Sequence, residues 1–179
     1  MERDFSRIKL LVCDFDGVFT DNKVITNENG EESVICSRGD GLGIGMIRKN
    51  TDVEILVIST EKNKVVQRRC DKLGIWCITD AEDKLTILED EIKKRGLSFG
   101  EVAFIGNDIN DLKCIQKAGI GIAVADSHPE VLNAADLVTK KEGGGGAVRE
   151  ICDLILSSKQ EEKNIEEIIY KETTTMNKR

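Results

Sequence analysis

No stretch of the 179-residue chain comes near the roughly 20 consecutive apolar residues that a helix needs to cross a bilayer. A membrane-spanning role is therefore not expected. A basic stripe is also missing: the net charge is −7 and the pI about 4.9, which argues against a nucleic-acid partner. The densest cationic group, Lys62, Lys64, Arg68, Arg69 and Lys72, falls on one expected helix and reads as a solvated face. No two of the six cysteines stand in the C-x-x-C spacing of a metal site. Several of them lie in apolar runs, where a thiol behaves as a small hydrophobe. The opening residues MERDFSRIKL hold no apolar signal core. Free thiols without an export signal point to a reducing, cytoplasmic setting. A G-x-x-x-x-G-K-[ST] pattern is lacking, which excludes a nucleotide P-loop. Internal repeats and low-complexity linkers are absent as well.

What is present is a regular alternation. Short Val- and Ile-rich runs at 8–13, 54–59, 101–105 and 120–124 are apolar on both faces, as strands of a covered parallel sheet are. WCI at 76–78 and LV at 137–138 extend the set. Helical spacing occupies 41–50, 62–74, 82–96, 109–118, 129–135 and 145–157. Strands alternating with helices specify an α/β fold with a doubly wound, parallel, Rossmann-like sheet. One region breaks the pattern: NKVITNENGEESVIC, 22–36, reads as strand, turn, strand, with Asn29-Gly30 tolerating positive φ at the turn. From residue 158 to 179 the chain reads as a charged tail after a domain at 1–157, with a short helical pattern in IEEIIY and a disordered TTTMNKR. The single histidine, His128, precedes Pro129 at an expected helix start and suits a cap; Trp76 is expected to pack.

The chemistry concentrates where strands end, which is where open α/β sheets bind ligands. The first strand runs into Asp14 and Asp16, two carboxylates that repel unless something positive lies between or beside them. The second long strand is followed by Ser59 and Thr60, the third by GNDIND at 106–111, and Lys84 opens a helix. Carboxylates, a hydroxyl, an amide and a lysine suit a phosphate together with a hard divalent cation such as Mg²⁺, which takes oxygen ligands and keeps bound water.

Those residues, DFDGVFTD at 14–21, Ser59, Lys84 and GNDIND, resemble in order and spacing the four motifs of the haloacid dehalogenase superfamily of phosphatases, over about residues 8–156. The resemblance implies an Asp14 nucleophile forming an aspartyl-phosphate, and Asp16 as general acid and then base, its carbonyl on Mg²⁺. It further implies Ser59 and Lys84 on the transferring phosphoryl group. Most relatives carry GD where this chain has Asn107 followed by Asp108, so the metal set implied is Asp14, Asp16, Asn107 and Asp108. No cap domain is inserted, only the hairpin. Small capless relatives assemble as homotetramers in which a neighbour covers the site.

SRGDGLGI (37–44), ADSHPEV (125–131) and GGGGAVREICDLIL (143–156) are similar to 3-deoxy-octulosonate 8-phosphate phosphatases and to the phosphatase modules of acylneuraminate cytidylyltransferases. Ser59-Thr60-Glu61 and RGDG lean toward the latter, hence toward a sialic-acid-like nine-carbon ulosonate 9-phosphate. On that resemblance Thr60, Glu61, Arg69 and Lys72 are expected to meet the sugar, Arg69 and Lys72 sharing one helical face at i, i+3. A non-catalytic tetramerisation module beside a cytidylyltransferase is the rival expectation.

Overall fold

The computed structural model describes residues 4–176. Six parallel strands form one sheet in the order β5-β4-β1-β6-β7-β8: β1 Leu10–Cys13, β4 Glu54–Ile58, β5 Trp76–Ile78, β6 Val102–Gly106, β7 Ile120–Ala123 and β8 Leu137–Val138. The chain leaves β1 toward β4 and β5, then returns to pair β6 on the other side of β1. The reversal opens a crevice beyond the carboxyl ends of β1, β4 and β6, the switch point of such sheets.

The helices are α1 Arg38–Asn50, α2 Lys64–Leu73, α3 Lys84–Arg95, α4 Leu112–Lys117, α5 Pro129–Ala134 and α6 Ala147–Met176. Alternate strand residues divide two cores. Leu11, Cys13, Ile55, Val57, Ala103 and Ile105 face α1, α2 and α6, where Ile44, Ile47, Val66 and Ile151 meet them. Leu10, Val12, Leu56, Ile58, Val102 and Phe104 face α3, α4 and α5. All four β1 residues are fully buried, which explains the unbroken apolar run. Local chemistry sets the helix ends. Ser37 caps α1, Asn63 caps α2 and Asp83 caps α3, while Gly74 and Gly96 take left-handed conformations after α2 and α3. His128 caps α5 through Nδ1, with Pro129 at the first helical position, as its sequence position suggests.

Three expectations need correction. The hairpin, β2 Ile25–Thr26 and β3 Glu32–Ser33, is not closed by a two-residue Asn-Gly turn. Only Gly30 has positive φ, and the Asn27 Oδ1 atom organises the loop by accepting from the Asn29 and Glu31 amides. Trp76 does not pack: it begins the edge strand β5 and is 67% exposed. The tail is not separate from the last helix: α6 runs for 30 residues, about 45 Å, across residue 157 and through IEEIIY and TTTM. Asn177–Arg179 of the expected disordered end lie outside the described residues.

Phe104 fills the centre of the second core with no exposed surface. Phe104→Ala is expected to lower the unfolding free energy by about 3–5 kcal/mol, measured by urea titration, with an unchanged m-value.

Candidate active site

The carboxyl ends of β1, β4 and β6 meet around a cavity of about 490 Å³ lined by Asp14, Asp16, Ser59, Asn107 and Asp108, with Thr60 and Glu61 beside Ser59. Asp14 is buried at the tip of β1, and its backbone amide donates to the Ile105 carbonyl. The Phe15 amide donates to Asp14 Oδ1 at 2.7 Å, and the Lys84 ammonium lies 2.7 Å from that same oxygen. Oδ2 is thereby left for a second partner.

Lys84 does not line the cavity. It enters from the first turn of α3, 2% exposed, and divides its charge between Asp14 and Asp111 Oδ1 at 2.8 Å. Asp111 has no exposed surface; its other oxygen accepts from the Asn107 amide at 2.9 Å and more weakly from the Asp108 amide at 3.3 Å. Burial works against the Lys84 ammonium, yet the two carboxylates outweigh it and raise its pKa. Asp14 is pushed up to about 7, by burial first and by Asp111 second, against the pull of Lys84. One cation between two buried carboxylates leaves an excess of negative charge. Asp16, half-buried, is also raised, by burial and then by Glu61.

Backbone geometry holds the acidic loop in place. Gly17 has φ +80°, and a Cβ there would come 2.0 Å from Asn107 Nδ2. The Thr20 hydroxyl accepts from the Gly17 and Asn22 amides. The glycine run 143–146 backs this loop: a Cβ on Gly143 would meet the Gly17 carbonyl oxygen at 1.9 Å, and the Gly144 amide donates to the Val18 carbonyl. Ser59, buried at the end of β4, accepts from the Glu61 amide at 3.1 Å, which leaves its own proton to donate.

The oxygen atoms fit a hard cation. Asn107 Oδ1 is buried with no hydrogen-bond partner, in a residue otherwise fixed by Asp111 on its amide and by the His128 amide on its carbonyl. Among the described residues no three His, Cys, Asp or Glu side chains cluster as a metal site. A cation here would therefore rest on Asp14, neutral amide and carbonyl oxygens, and water, as Mg²⁺ accepts. Asp108 is exposed and its Oδ1 is engaged by the Ile109 amide, so it is a poorer ligand than Asn107.

The structure does not bring Arg69 and Lys72 to the cavity. Arg69 Nη2 donates to the Ser37 carbonyl at 2.9 Å, and Lys72 is exposed toward the other end of α2. The two share a face, but that face is turned to α1 and solvent. Arg149 is held by Asp153 on α6. The residue that sequence reasoning left without a role is Asp111; its spacing within GNDIND was visible, but its partner Lys84 lies 27 residues away.

A family model described as haloacid dehalogenase-like hydrolase matches residues 74–151. Over 150 residues the chain is 39% identical to the 3-deoxy-D-manno-octulosonate 8-phosphate phosphatase of Escherichia coli (strain K12), covering 83% of this chain and 79% of the relative. The Moraxella catarrhalis enzyme of that name, solved with magnesium, phosphate and KDO, superposes with a TM-score of 0.85 at 35% identity, covering 94% of this chain and 95% of that one. A cobalt-bound Haemophilus influenzae counterpart gives 0.83 at 34% identity, over 88% and 92%. The chain belongs to the haloacid dehalogenase-like hydrolase family. Within it, the chain is an enzyme of the phosphatase class, with a bare sheet-and-helix body in place of a capped one.

Removing Lys84 strands two buried carboxylates. Lys84→Met is expected to destabilise the fold by about 3–5 kcal/mol. Adding Asp111→Asn recovers part of that loss, as a double-mutant cycle in urea would register.

Proposed function

We propose that the chain is a Mg²⁺-dependent phosphomonoesterase that hydrolyses the terminal phosphate of an acidic keto-sugar through an aspartyl-phosphate. One observation carries this: the Asp14 carboxylate, paired with Lys84 at 2.7 Å, faces a cavity that also receives the unpartnered Asn107 Oδ1. Asp14 attacks phosphorus as the bond to the sugar oxygen breaks, and the Asp16 carboxyl gives that oxygen its proton. Asp16 then takes a proton from water, which attacks the phosphorus of the acyl phosphate and frees Asp14. Ser59 donates to a phosphoryl oxygen, and Lys84 pulls the Asp14 carboxyl toward its ionised form. A dication on Asp14, the Asp16 carbonyl and Asn107, with Asp108 bridged by water, would supply positive charge against the phosphoryl oxygens.

The eight-carbon substrate, 3-deoxy-octulosonate 8-phosphate, is supported by the names of the relatives over most of the chain. A nine-carbon, sialic-acid-like ulosonate 9-phosphate is the second reading, supported by Thr60 and Glu61 in the cavity wall, where a carboxylate can accept from sugar hydroxyls. The catalytic unit proposed is residues 1–157, followed by a charged tail at 158–179 whose described part, to Met176, continues α6. A homotetramer is supported by Val24, Ile25 and Ile35, exposed on the hairpin where a neighbouring copy would cover them. A cytidylyltransferase partner belongs to the nine-carbon reading.

Phosphate release from a panel of both sugar phosphates tests the proposal. Asp14→Asn is expected to lose ~10³-fold or more in turnover. A wild type as inert as this variant across the panel would favour a purely structural module. Glu61→Arg is expected to change the ratio of nine- to eight-carbon turnover; an unchanged ratio removes Glu61 from substrate choice. Treatment with EDTA should abolish turnover and added Mg²⁺ restore it.

A further inference from the structure

The hairpin walls one side of the cavity through Lys23, Val24, Glu32 and Val34, yet within its own chain little holds it there. Each of its strands has two residues, too few for a ribbon to be stable by itself. Its apolar residues Val24, Ile25 and Ile35 are 52%, 59% and 69% exposed, and only Val34 and Cys36 pack partly against the core. Among the described residues, a single side-chain hydrogen bond ties residues 24–36 to the rest of the chain: Asn63 Nδ2 donates to Glu32 Oε2 at 2.7 Å.

The polarity of that bond is fixed from the other side. Asn63 caps α2, and its Oδ1 accepts from the Val65 amide at 3.0 Å. The amide group must then present its NH₂ outward, where only an acceptor fits. The Asn63 backbone is held in turn by Glu61 Oε1, which accepts from the Lys62 and Asn63 amides. Glu32 and Asn63 both line the cavity, and this bond joins their side chains along its wall.

We propose that Asn63 is a positioning residue, whose side-chain amide latches the β2–β3 hairpin to the start of α2 and so sets the width of the cavity where the leaving group sits. The role given to the leaving group rests on the phosphatase reading; the latch itself does not. A domain without a cap closes its site with whatever borders it, and here that border is a ribbon tied to the rest of its own chain by one charge-assisted side-chain hydrogen bond.

Three variants separate the latch from the cap. Asn63→Asp keeps the cap, because aspartate serves that position as well as asparagine. It replaces the donor by a second carboxylate facing Glu32. Glu32→Gln keeps an acceptor for Asn63. The double variant E32Q/N63D restores the bond with donor and acceptor exchanged. Amide exchange followed by mass spectrometry should show residues 24–36 of N63D exchanging about tenfold faster or more, with α2 unchanged. E32Q and the double variant should match the native protein. With p-nitrophenyl phosphate and the sugar phosphates, N63D should raise KM more than it lowers kcat, and the double variant should reverse this. Native-like exchange in N63D, or a double variant as fast as N63D, overturns the latch. Protein inert toward every substrate but showing the expected exchange pattern supports the latch and counts against the phosphatase reading alone.

Discussion

The buried ammonium of Lys84, shared between Asp14 and Asp111, is the constraint from which the site follows. A lone buried carboxylate would protonate or unfold its surroundings. With the lysine between them, both acids stay in the interior, and each then orders something else. Asp14 stands at the tip of a fully buried strand, and Asp111 gathers the Asn107 and Asp108 amides into a fixed loop. The ends of β1 and β6 and the start of α3 are joined through a single nitrogen atom.

The surplus of negative charge extends outward. Asp14, Asp16, Glu32, Glu61 and Asp108 line the cavity, with Lys23 as the cation among the lining residues. An anionic ligand cannot settle there unless positive charge arrives with it or comes from a neighbouring copy. The acidic cavity wall and the metal proposed for it are thus two expressions of one electrostatic condition. The unpartnered oxygen of Asn107 marks the point where that condition is most local.

Much of this was legible in the chain. Runs apolar on both faces can be only covered strands, and acids placed directly after them can be only at the rim. The expected strands recur within a residue or two, and Asp14, Asp16, Ser59, Thr60, Glu61, Asn107 and Asp108 converge on one cavity. The failures at Arg69, Lys72, Asp111 and Trp76 share a cause, since each turns on contacts between segments distant in sequence. Spacing puts Arg69 and Lys72 on one face but does not say which way α2 is rolled, and Ser37 of α1 claims the arginine. Asp111 needed a partner 27 residues away. Trp76 could not be known as exposed before strand order made β5 an edge. A charged tail and a charged helix have the same composition, so the extent of α6 was invisible.

That edge position gives the protein a built-in optical reporter. The chain has one tryptophan, and its indole stands in water at the start of the edge strand β5, in register with Leu56 of β4. Its emission belongs to the red, hydrated limit. Any molecule that covers this margin turns the colour toward blue, so fluorescence alone can register association along that edge.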